Sequence, residues 1–462
     1  MRENVEARGS LEGIRARLDG LRPTLGAVFL AAYAWSNLVP SSLATAAFLA
    51  TGIVLYAMSV PWASAFHKGL ALVSFGVLGA VILAGRFEAG AFAEGLPDYY
   101  GVVAVLLVLS VAGYPIRAAR YEAQIRGLVA GLRRRGAGVG TASGIMGHVL
   151  GAVLDVGAFV LIDVILGRAA PRSRLDALMW AGRGFSFAPL WTNLNVFTAT
   201  TIVLTGVSYP NLLAVTLPFA LLGLTATSLA AQREKDEDEA PTGPDEPLDR
   251  KAAAVVLYPV LLVATVALAN LLFPGLSLTA AIAVTVAVVV ALISVLAAVV
   301  LRRTSPLRRL ALETRGSLVA SHAEFALFGS AGILVLSLGE LGALAPLGDF
   351  LSSLPPLLVA PALMLTISVG FVVGIHVIPM VLLINTAFPL DNGPSPALWA
   401  AALLLGAQSA LLLTPFSNAV TMLARLSGLH PLEVGPRRNW RFGLVVTAAA
   451  ILYLGALSLW FA

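Results

Sequence analysis

The chain has 462 residues, of which 58% are hydrophobic and only 12% carry a charge, and its formal net charge at pH 7 is +5. A chain this apolar is typical of an integral membrane protein rather than a soluble enzyme. The charge does not indicate nucleic acid binding, because the basic residues lie between apolar segments, where they set membrane orientation. The sequence has no cysteine, which excludes disulfides, thiolate metal sites and cysteine nucleophiles.

The N-terminal segment, residues 1–23, mixes arginines with acidic residues and lacks the apolar core of a signal peptide. It is predicted to form a cytoplasmic amphipathic helix that is not cleaved. A series of apolar segments follows it. These segments are 24–39, 41–58, 69–85, 99–116, 138–166, 184–206, 211–230, 252–273, 277–301, 317–338, 355–388, 397–424 and 442–461.

Two of these segments, 138–166 and 355–388, are longer than a single span requires. Each is either a pair of spans with almost no loop or one re-entrant hairpin. Loop charge favours hairpins, since cytoplasmic loops collect Lys and Arg. If 138–166 opens to the cytoplasm and 355–388 to the outside, all of the 30 Lys and Arg residues except Arg86 become cytoplasmic. This arrangement predicts about eleven spanning helices, with the N-terminus inside and the C-terminus outside.

Two of the listed segments, 184–206 and 397–424, contain a proline followed by short polar residues. They are predicted to be broken helices. Proline removes a backbone donor and clashes with the preceding turn. A helix that restarts inside the membrane presents unpaired N–H groups and its positive dipole end. Such breaks, paired in two halves of a chain, point to the binding site of a transporter. The candidate binding residues are Thr192, Asn193 and Asn195 in the first break and Ser417, Asn418 and Thr421 in the second.

An acidic, proline-containing linker divides the chain, and the same order of helices occurs on both sides of it with reversed sidedness. This pattern predicts an all-α integral membrane protein with an inverted-topology repeat, two re-entrant hairpins and two broken helices. The predicted parts are the N-terminal segment 1–23, the first helix plus repeat 1 at 24–231 with hairpin 138–166 and broken helix 184–206, the cytoplasmic linker 232–251, and repeat 2 at 252–462 with hairpin 355–388 and broken helix 397–424.

This topology and the two breaks, Pro189-Leu-Trp-Thr192-Asn193 and Pro415-Phe-Ser417-Asn418, resemble the ion transporter superfamily, whose best-known branch is the divalent anion/sodium symporters. The resemblance covers about residues 24–461. It implies a homodimer in which a transport core, made of the hairpins and the broken helices, slides against a scaffold as an elevator.

The middle of each hairpin holds glycines beside a histidine, Gly147 with His148 and Gly374 with His376. Glycine permits the sharp reversal that a hairpin tip needs. The histidine could donate to an anion or carry a proton. The alternative is a packing seam of small residues with each histidine bonded inside the core.

Three acids lie in apolar surroundings, and intramembrane acids are functional candidates by default. Asp155 is the candidate for ion coupling, with a structural pair as the alternative. For Asp163 and Glu324, a surface position or an ion pair is favoured, because both lie near arginines.

The sequence therefore predicts a secondary active transporter, not an enzyme, in a bacterial cytoplasmic (inner) membrane. Its partners would be membrane lipid and a small organic or inorganic anion, and no nucleic acid. The anion is favoured because the breaks offer neutral donors and helix ends without Lys or Arg. Coupling to sodium or protons is expected, with Na⁺ at Asn193 and Asn418 as the one candidate cofactor. The alternatives are a sodium/proton antiporter that uses Asp155, a passive channel, and an intramembrane enzyme.

Overall fold

The computed structural model describes residues 2–39, 41–118, 122–166, 171–233, 250–273, 276–375, 377–388 and 395–461. All regular structure in these ranges is helical, which confirms the predicted fold class. The α-helices, in chain order, are α1 (Arg2–Leu38), α2 (Ser42–Ser59), α3 (Ala65–Leu83), α4 (Ala89–Leu109), α5 (Tyr114–Ala118), α6 (Glu122–Arg134), α7 (Val139–Leu154), α8 (Gly157–Leu166), α9 (Pro171–Phe185), α10 (Val196–Thr205), α11 (Tyr209–Arg233), α12 (Arg250–Leu272), α13 (Leu278–Leu301), α14 (Ser305–Ala320), α15 (His322–Glu340), α16 (Ala345–Ser353), α17 (Pro356–Val372), α18 (Val377–Ala387), α19 (Pro396–Ala410), α20 (Asn418–Ser427) and α21 (Arg438–Phe461).

Among the described helices, seven are long and apolar enough to cross a membrane, by length and composition. The helices of the two hairpins, α7 with α8 and α17 with α18, are shorter. A helix as short as the ten-residue α8 is only about 15 Å long, half of the apolar thickness of a bilayer. The chain is therefore a multi-pass membrane protein with two helix pairs at the predicted hairpins. The seven candidate spans are Ser42–Trp62, Ala65–Leu83, Ala89–Leu109, Tyr209–Arg233, Thr279–Leu301, His322–Glu340 and Glu433–Trp460.

Some predicted boundaries differ from the structure. The N-terminal segment and the first predicted span form one continuous helix, α1, which carries Pro23 in its interior. The connection between the predicted spans 69–85 and 99–116 is also partly helical, since α4 begins at Ala89 rather than near residue 99. Most of the predicted linker, residues 234–249, lies outside the described ranges.

The chain divides into two compact units that cut across its two sequence halves. One unit comprises Met1–Tyr114 and Asn270–Ala343, and the other comprises Pro115–Ala269 and Leu344–Ala462. Both hairpins and both broken helices therefore belong to the second unit.

The first unit has an aromatic core centred on Phe29 of α1. The Phe29 ring centroid lies 5.0 Å from that of Phe48 and 5.1 Å from that of Phe325. Arg22, also on α1, is fully buried and donates to the Ser59 hydroxyl at 2.7 Å, which ties α1 to the end of α2. Aromatic rings at these distances stabilise a core by specific ring contacts in addition to their packing.

In the second unit, the short helix after each break packs against helices of the other half. Helix α20 packs against α8 and α9, and α10 packs against α18 and α19. The shared core accordingly joins Leu150 of α7 and Phe185 of α9 with Leu423 of α20. Elements of both halves therefore share one core, formed by the first hairpin, α9 and α20.

Candidate functional site

The first break separates α9 from α10. Helix α9 ends at Phe185, and a short 3-10 turn containing Pro189 follows it. The Thr192 hydroxyl then donates to the carbonyl of Ala152 on α7 at 3.0 Å and accepts from the N–H of Leu194. Asn195 is the N-cap of α10, because its side-chain oxygen accepts from the N–H of Phe197 at 3.0 Å. Thr192 and Asn195 thus satisfy backbone groups that the break leaves unpaired.

The second break separates α19 from α20 and has a threonine turn and a helix cap of the same kind. The Thr414 hydroxyl accepts from the N–H of Phe416 at 3.2 Å. Ser417 is the N-cap of α20 and accepts from the N–H of Val420 at 3.1 Å. Each break is therefore a threonine turn followed three residues later by a capped helix start.

The two breaks match at a fixed offset of 222 residues. It relates Thr192 to Thr414 and Asn195 to Ser417, and it relates the glycines that end α10 and α20, Gly206 and Gly428. Both glycines adopt the left-handed conformation, with φ of 62° and 70°. This register aligns Asn193 with Pro415, whereas the sequence pattern pairs Asn193 with Asn418. The sequence pattern paired the wrong residues because it aligned the two breaks on their Asn residues. In the structure, the two breaks align on the threonine turn and the helix cap.

The two asparagines differ in burial. Asn193 is fully buried, and neither the oxygen nor the nitrogen of its amide has a hydrogen-bond partner in the described protein. Asn418 and Thr421 are exposed and lie in the first turn of α20. An unpaired buried amide costs about 1–3 kcal/mol, so Asn193 is the member of the predicted set best suited to meet a ligand.

The hairpin tips lie at Asp155–Val156 between α7 and α8, and at residues 373–375 between α17 and α18. Gly374 lies at its tip, as predicted, with a φ of 97°. Gly147 lies two turns before the other tip, in the middle of α7, where a Cβ would collide with the backbone of Ala181 on α9. Gly147 thus serves helix packing. His376 lies outside the described residues.

His148 is buried and bonded on both sides of its ring. Its Nδ1 lies 3.2 Å from the carbonyl oxygen of Gly184, and its Nε2 accepts from the indole N–H of Trp191 at 2.8 Å. Trp191 is a member of the site that the sequence pattern did not single out. The only available signal was its position directly before Thr192 in the break.

The three acids occupy different surroundings. Asp155 is exposed at the first tip and adopts a φ of 49°, which is rare for a residue with a side chain. Asp163 receives two bonds from Arg174, of 2.6 and 2.7 Å, which confirms the ion-pair interpretation. The hydrogen bond with Asp163 raises the pKa of the Arg174 guanidinium. Glu324 belongs to the first unit, at the start of α15, and not to the breaks.

Within the described ranges, no group of three His, Asp or Glu residues could hold a metal ion. The breaks themselves offer oxygen atoms from amides, hydroxyls and backbone carbonyls. Such ligands suit a hard cation. With the helix starts of α10 and α20, the second unit offers partial positive charge and neutral donors.

The fold is that of a multi-pass all-α membrane protein, and two of its helices are interrupted at matching positions. No family model matches the sequence, and none of the curated proteins matches it. Among solved structures, the chain is similar to the YdaH transporter of Alcanivorax borkumensis, whose topology is described as unusual, with 16% identity and a TM-score of 0.48. The match covers 79% of this chain and 86% of that one. The resemblance to the divalent anion/sodium symporters stays a prediction.

Proposed function

We propose that this protein is a secondary active transporter that moves a small organic or inorganic anion, coupled to sodium or protons. The observation that carries the proposal is the pair of breaks, which repeat the same turn and cap 222 residues apart and share one compact unit with both hairpins. Irregular backbone inside a membrane protein is tolerated where it lines a cavity or protein interior. Paired discontinuous helices are the sites where transporters bind substrate and coupling ions.

The chemistry of the breaks favours an anion bound together with a cation. Residues 186–205 and 411–424 contain no Lys, Arg, Asp or Glu. The N-terminal ends of α10 and α20 therefore supply partial positive charge for an anion. Full neutralisation needs a cation, for which amide and carbonyl oxygens are suitable ligands. Asn193 is the group that we place in this site, since its buried amide is otherwise unpaired.

The mechanism that goes with this proposal is an elevator motion of the unit that carries the hairpins, in a homodimer. The membrane would be a bacterial inner membrane, with the N-terminus in the cytoplasm and the C-terminus outside. These features follow from the superfamily resemblance and from the distribution of Lys and Arg.

A second candidate is a sodium/proton antiporter, and Asp155 is the observation that favours it. A carboxylate that is exposed at a hairpin tip could exchange a proton for sodium. In that case the breaks would bind sodium and no anion.

Thermal stability of the purified protein tests these proposals, since a ligand that binds only the folded state stabilises it. The protein is titrated with sodium, lithium and pH steps, each with and without a panel of small carboxylates, sulfate and phosphate. Choline chloride keeps the ionic strength constant. A ligand at one hundred times its Kd should add about 2.7 kcal/mol of stability.

An anion symporter predicts that one anion class raises the melting temperature only when sodium is present or the pH is lowered. Stabilisation by sodium or pH alone, with every anion silent, would favour the antiporter. A melting temperature indifferent to all of these ions would contradict both proposals.

A further inference from the structure

In both halves of the chain, the first helix of the hairpin, which we call the hairpin arm, is hydrogen-bonded to the helix that precedes the break. In the first half, His148 Nδ1 lies 3.2 Å from the carbonyl oxygen of Gly184. In the second half, the Ser368 hydroxyl lies 2.9 Å from the carbonyl oxygen of Gly406. Gly184 and Gly406 are 222 residues apart, the offset of the breaks, and His148 and Ser368 are 220 apart. The structural counterpart of His148 is therefore Ser368.

The backbone packing around the two glycines supports this equivalence. A Cβ on Gly184 would collide with the carbonyl of Gly144 on α7, and a Cβ on Gly406 would collide with the carbonyl of Met364 on α17. Each glycine thus lets the hairpin arm approach the helix before the break closely. The side chain of His148 or Ser368 then bonds across the contact.

His148 also bonds to a residue of the break, whereas the described bonds of Ser368 stay within the two packed helices. Because the Gly184 carbonyl is an acceptor, the Nδ1 of His148 carries the proton, and Nε2 accepts from the Trp191 indole. The carbonyl of Trp191 in turn accepts from the hydroxyl of Tyr209 on α11. The partners of Ser368 are Met364, Gly406 and Ser409, which all lie on α17 and α19. The first break is therefore bonded to its hairpin arm through an aromatic residue in the break itself.

We infer that His148 is a positioning residue, whose ring holds Trp191 and thereby the first break in place without touching the transported ion. Both ring nitrogens already have protein partners, and Trp191 lies one residue before Thr192 and two before Asn193. A shift of Trp191 would move the Asn193 amide. This inference rests on the proposed function, since the break that His148 positions is the proposed site.

The test compares His148→Ser, Trp191→Phe and the double variant. His148→Ser installs the serine of the other half, and Trp191→Phe removes the indole donor while keeping an aromatic ring. The probe is sodium chloride titrated against choline chloride, with the melting temperature as readout. Each single variant should raise the half-saturating sodium concentration roughly two- to tenfold, the range expected from one lost hydrogen bond. The double variant should do no worse than the stronger single, because both changes break one interaction.

His148→Gln should restore the wild-type titration, since its amide can donate to Gly184 and accept from Trp191. His430→Ser, which removes an exposed histidine, is the control and should change nothing. A direct ligand role for His148 predicts a different pattern, in which His148→Ser abolishes the sodium response and Trp191→Phe leaves it intact. That pattern would overturn the inference.

Tryptophan fluorescence gives a second readout that does not depend on sodium. The spectrum of wild type minus that of Trp191→Phe isolates the emission of Trp191 among the 7 tryptophans. The spectrum of His148→Ser minus that of the double variant isolates the emission of Trp191 in the absence of the histidine. This emission maximum should lie at a shorter wavelength than in wild type, because the indole N–H loses its acceptor. His148→Gln and His430→Ser should leave it unchanged.

If wild type ignores sodium, the proposed sodium coupling fails while the fluorescence still decides the role of His148. An unshifted Trp191 emission in His148→Ser would overturn the inference even if the sodium response is present.

Discussion

Several polar side chains of the two breaks satisfy backbone groups, whereas the buried Asn193 does not. Thr192, Asn195 and Ser417 each use a side-chain oxygen to accept from a backbone N–H, as turn and cap residues do. Asn193 has no such bond although it is fully buried. At the scale of single residues, the proposed function therefore depends most on Asn193.

Asp155 supplies a prediction at the same scale. Its φ of 49° and ψ of −139° lie in a region that glycine occupies freely and other residues occupy at a cost of about 1–3 kcal/mol. Asp155→Gly should therefore raise the free energy of unfolding by about 1 kcal/mol. Thermal denaturation of the variant checks this, with Asp155→Ala as the matched control that keeps the strain.

The same pair of variants also reports on coupling. An antiporter that uses Asp155 requires both variants to lose the response of the melting temperature to sodium and pH. If both keep the full response, Asp155 is not the coupling group. If Asp155→Gly is less stable than wild type, the tip conformation is not strained as described.

The residue types of the site were predictable from the sequence, and their environments were not. Proline followed by Thr, Ser and Asn located both breaks. The difference in burial between Asn193 and Asn418 depends on which helices cover α10 and α20, and this packing is not encoded in the local pattern. The partner of His148 escaped prediction for the same reason, since Trp191 is 43 residues away.

At the scale of elements, helices α7 and α9 of the proposed core pack closely against each other. Four glycines on α7, Gly140, Gly144, Gly147 and Gly151, face residues of α9 at distances that leave no room for a methyl group or only just enough. On the other side of the contact, Gly184 meets the carbonyl of Gly144. Small residues let the two helix backbones approach, which is how helices associate without a hydrophobic driving force in a membrane.

Gly184→Ala should therefore destabilise the protein by about 1–3 kcal/mol, because the added methyl group would displace a backbone rather than a flexible side chain. Gly455→Ala on α21 is the matched control, since nothing lies within 4 Å of its Cβ position. The control should be neutral or stabilising by up to about 1 kcal/mol. Equal melting temperatures for the two variants would show that α7 and α9 do not pack this closely.

These glycines also explain where the element prediction was wrong. The glycine spacing around Gly147 indicated a hairpin tip, but the turn lies at Asp155, and the glycines serve the contact with α9. Sequence alone does not distinguish a glycine needed for a turn from one needed for close packing. In the second hairpin Gly374 does lie at the tip, where its positive φ requires a glycine.

At the scale of the whole molecule, the linear halves of the chain are not its structural units. Both hairpins, both breaks and the helices that pack on them belong to one compact unit, in which α10 and α20 each pack on the opposite half. Charge distribution and break order predicted the repeat and the helix pairs, because those are local properties of the chain. The interlocking of the halves required the three-dimensional contacts.

The most direct test of the account is uptake into proteoliposomes under an imposed sodium or proton gradient, with the anion that stabilises the protein most as the labelled solute. We expect saturable uptake that stops when the gradient is dissipated and that falls at least about tenfold in Asn193→Ala, while Gly455→Ala transports like wild type. Non-saturable flux that ignores the gradient, or full uptake by folded Asn193→Ala protein, would contradict it.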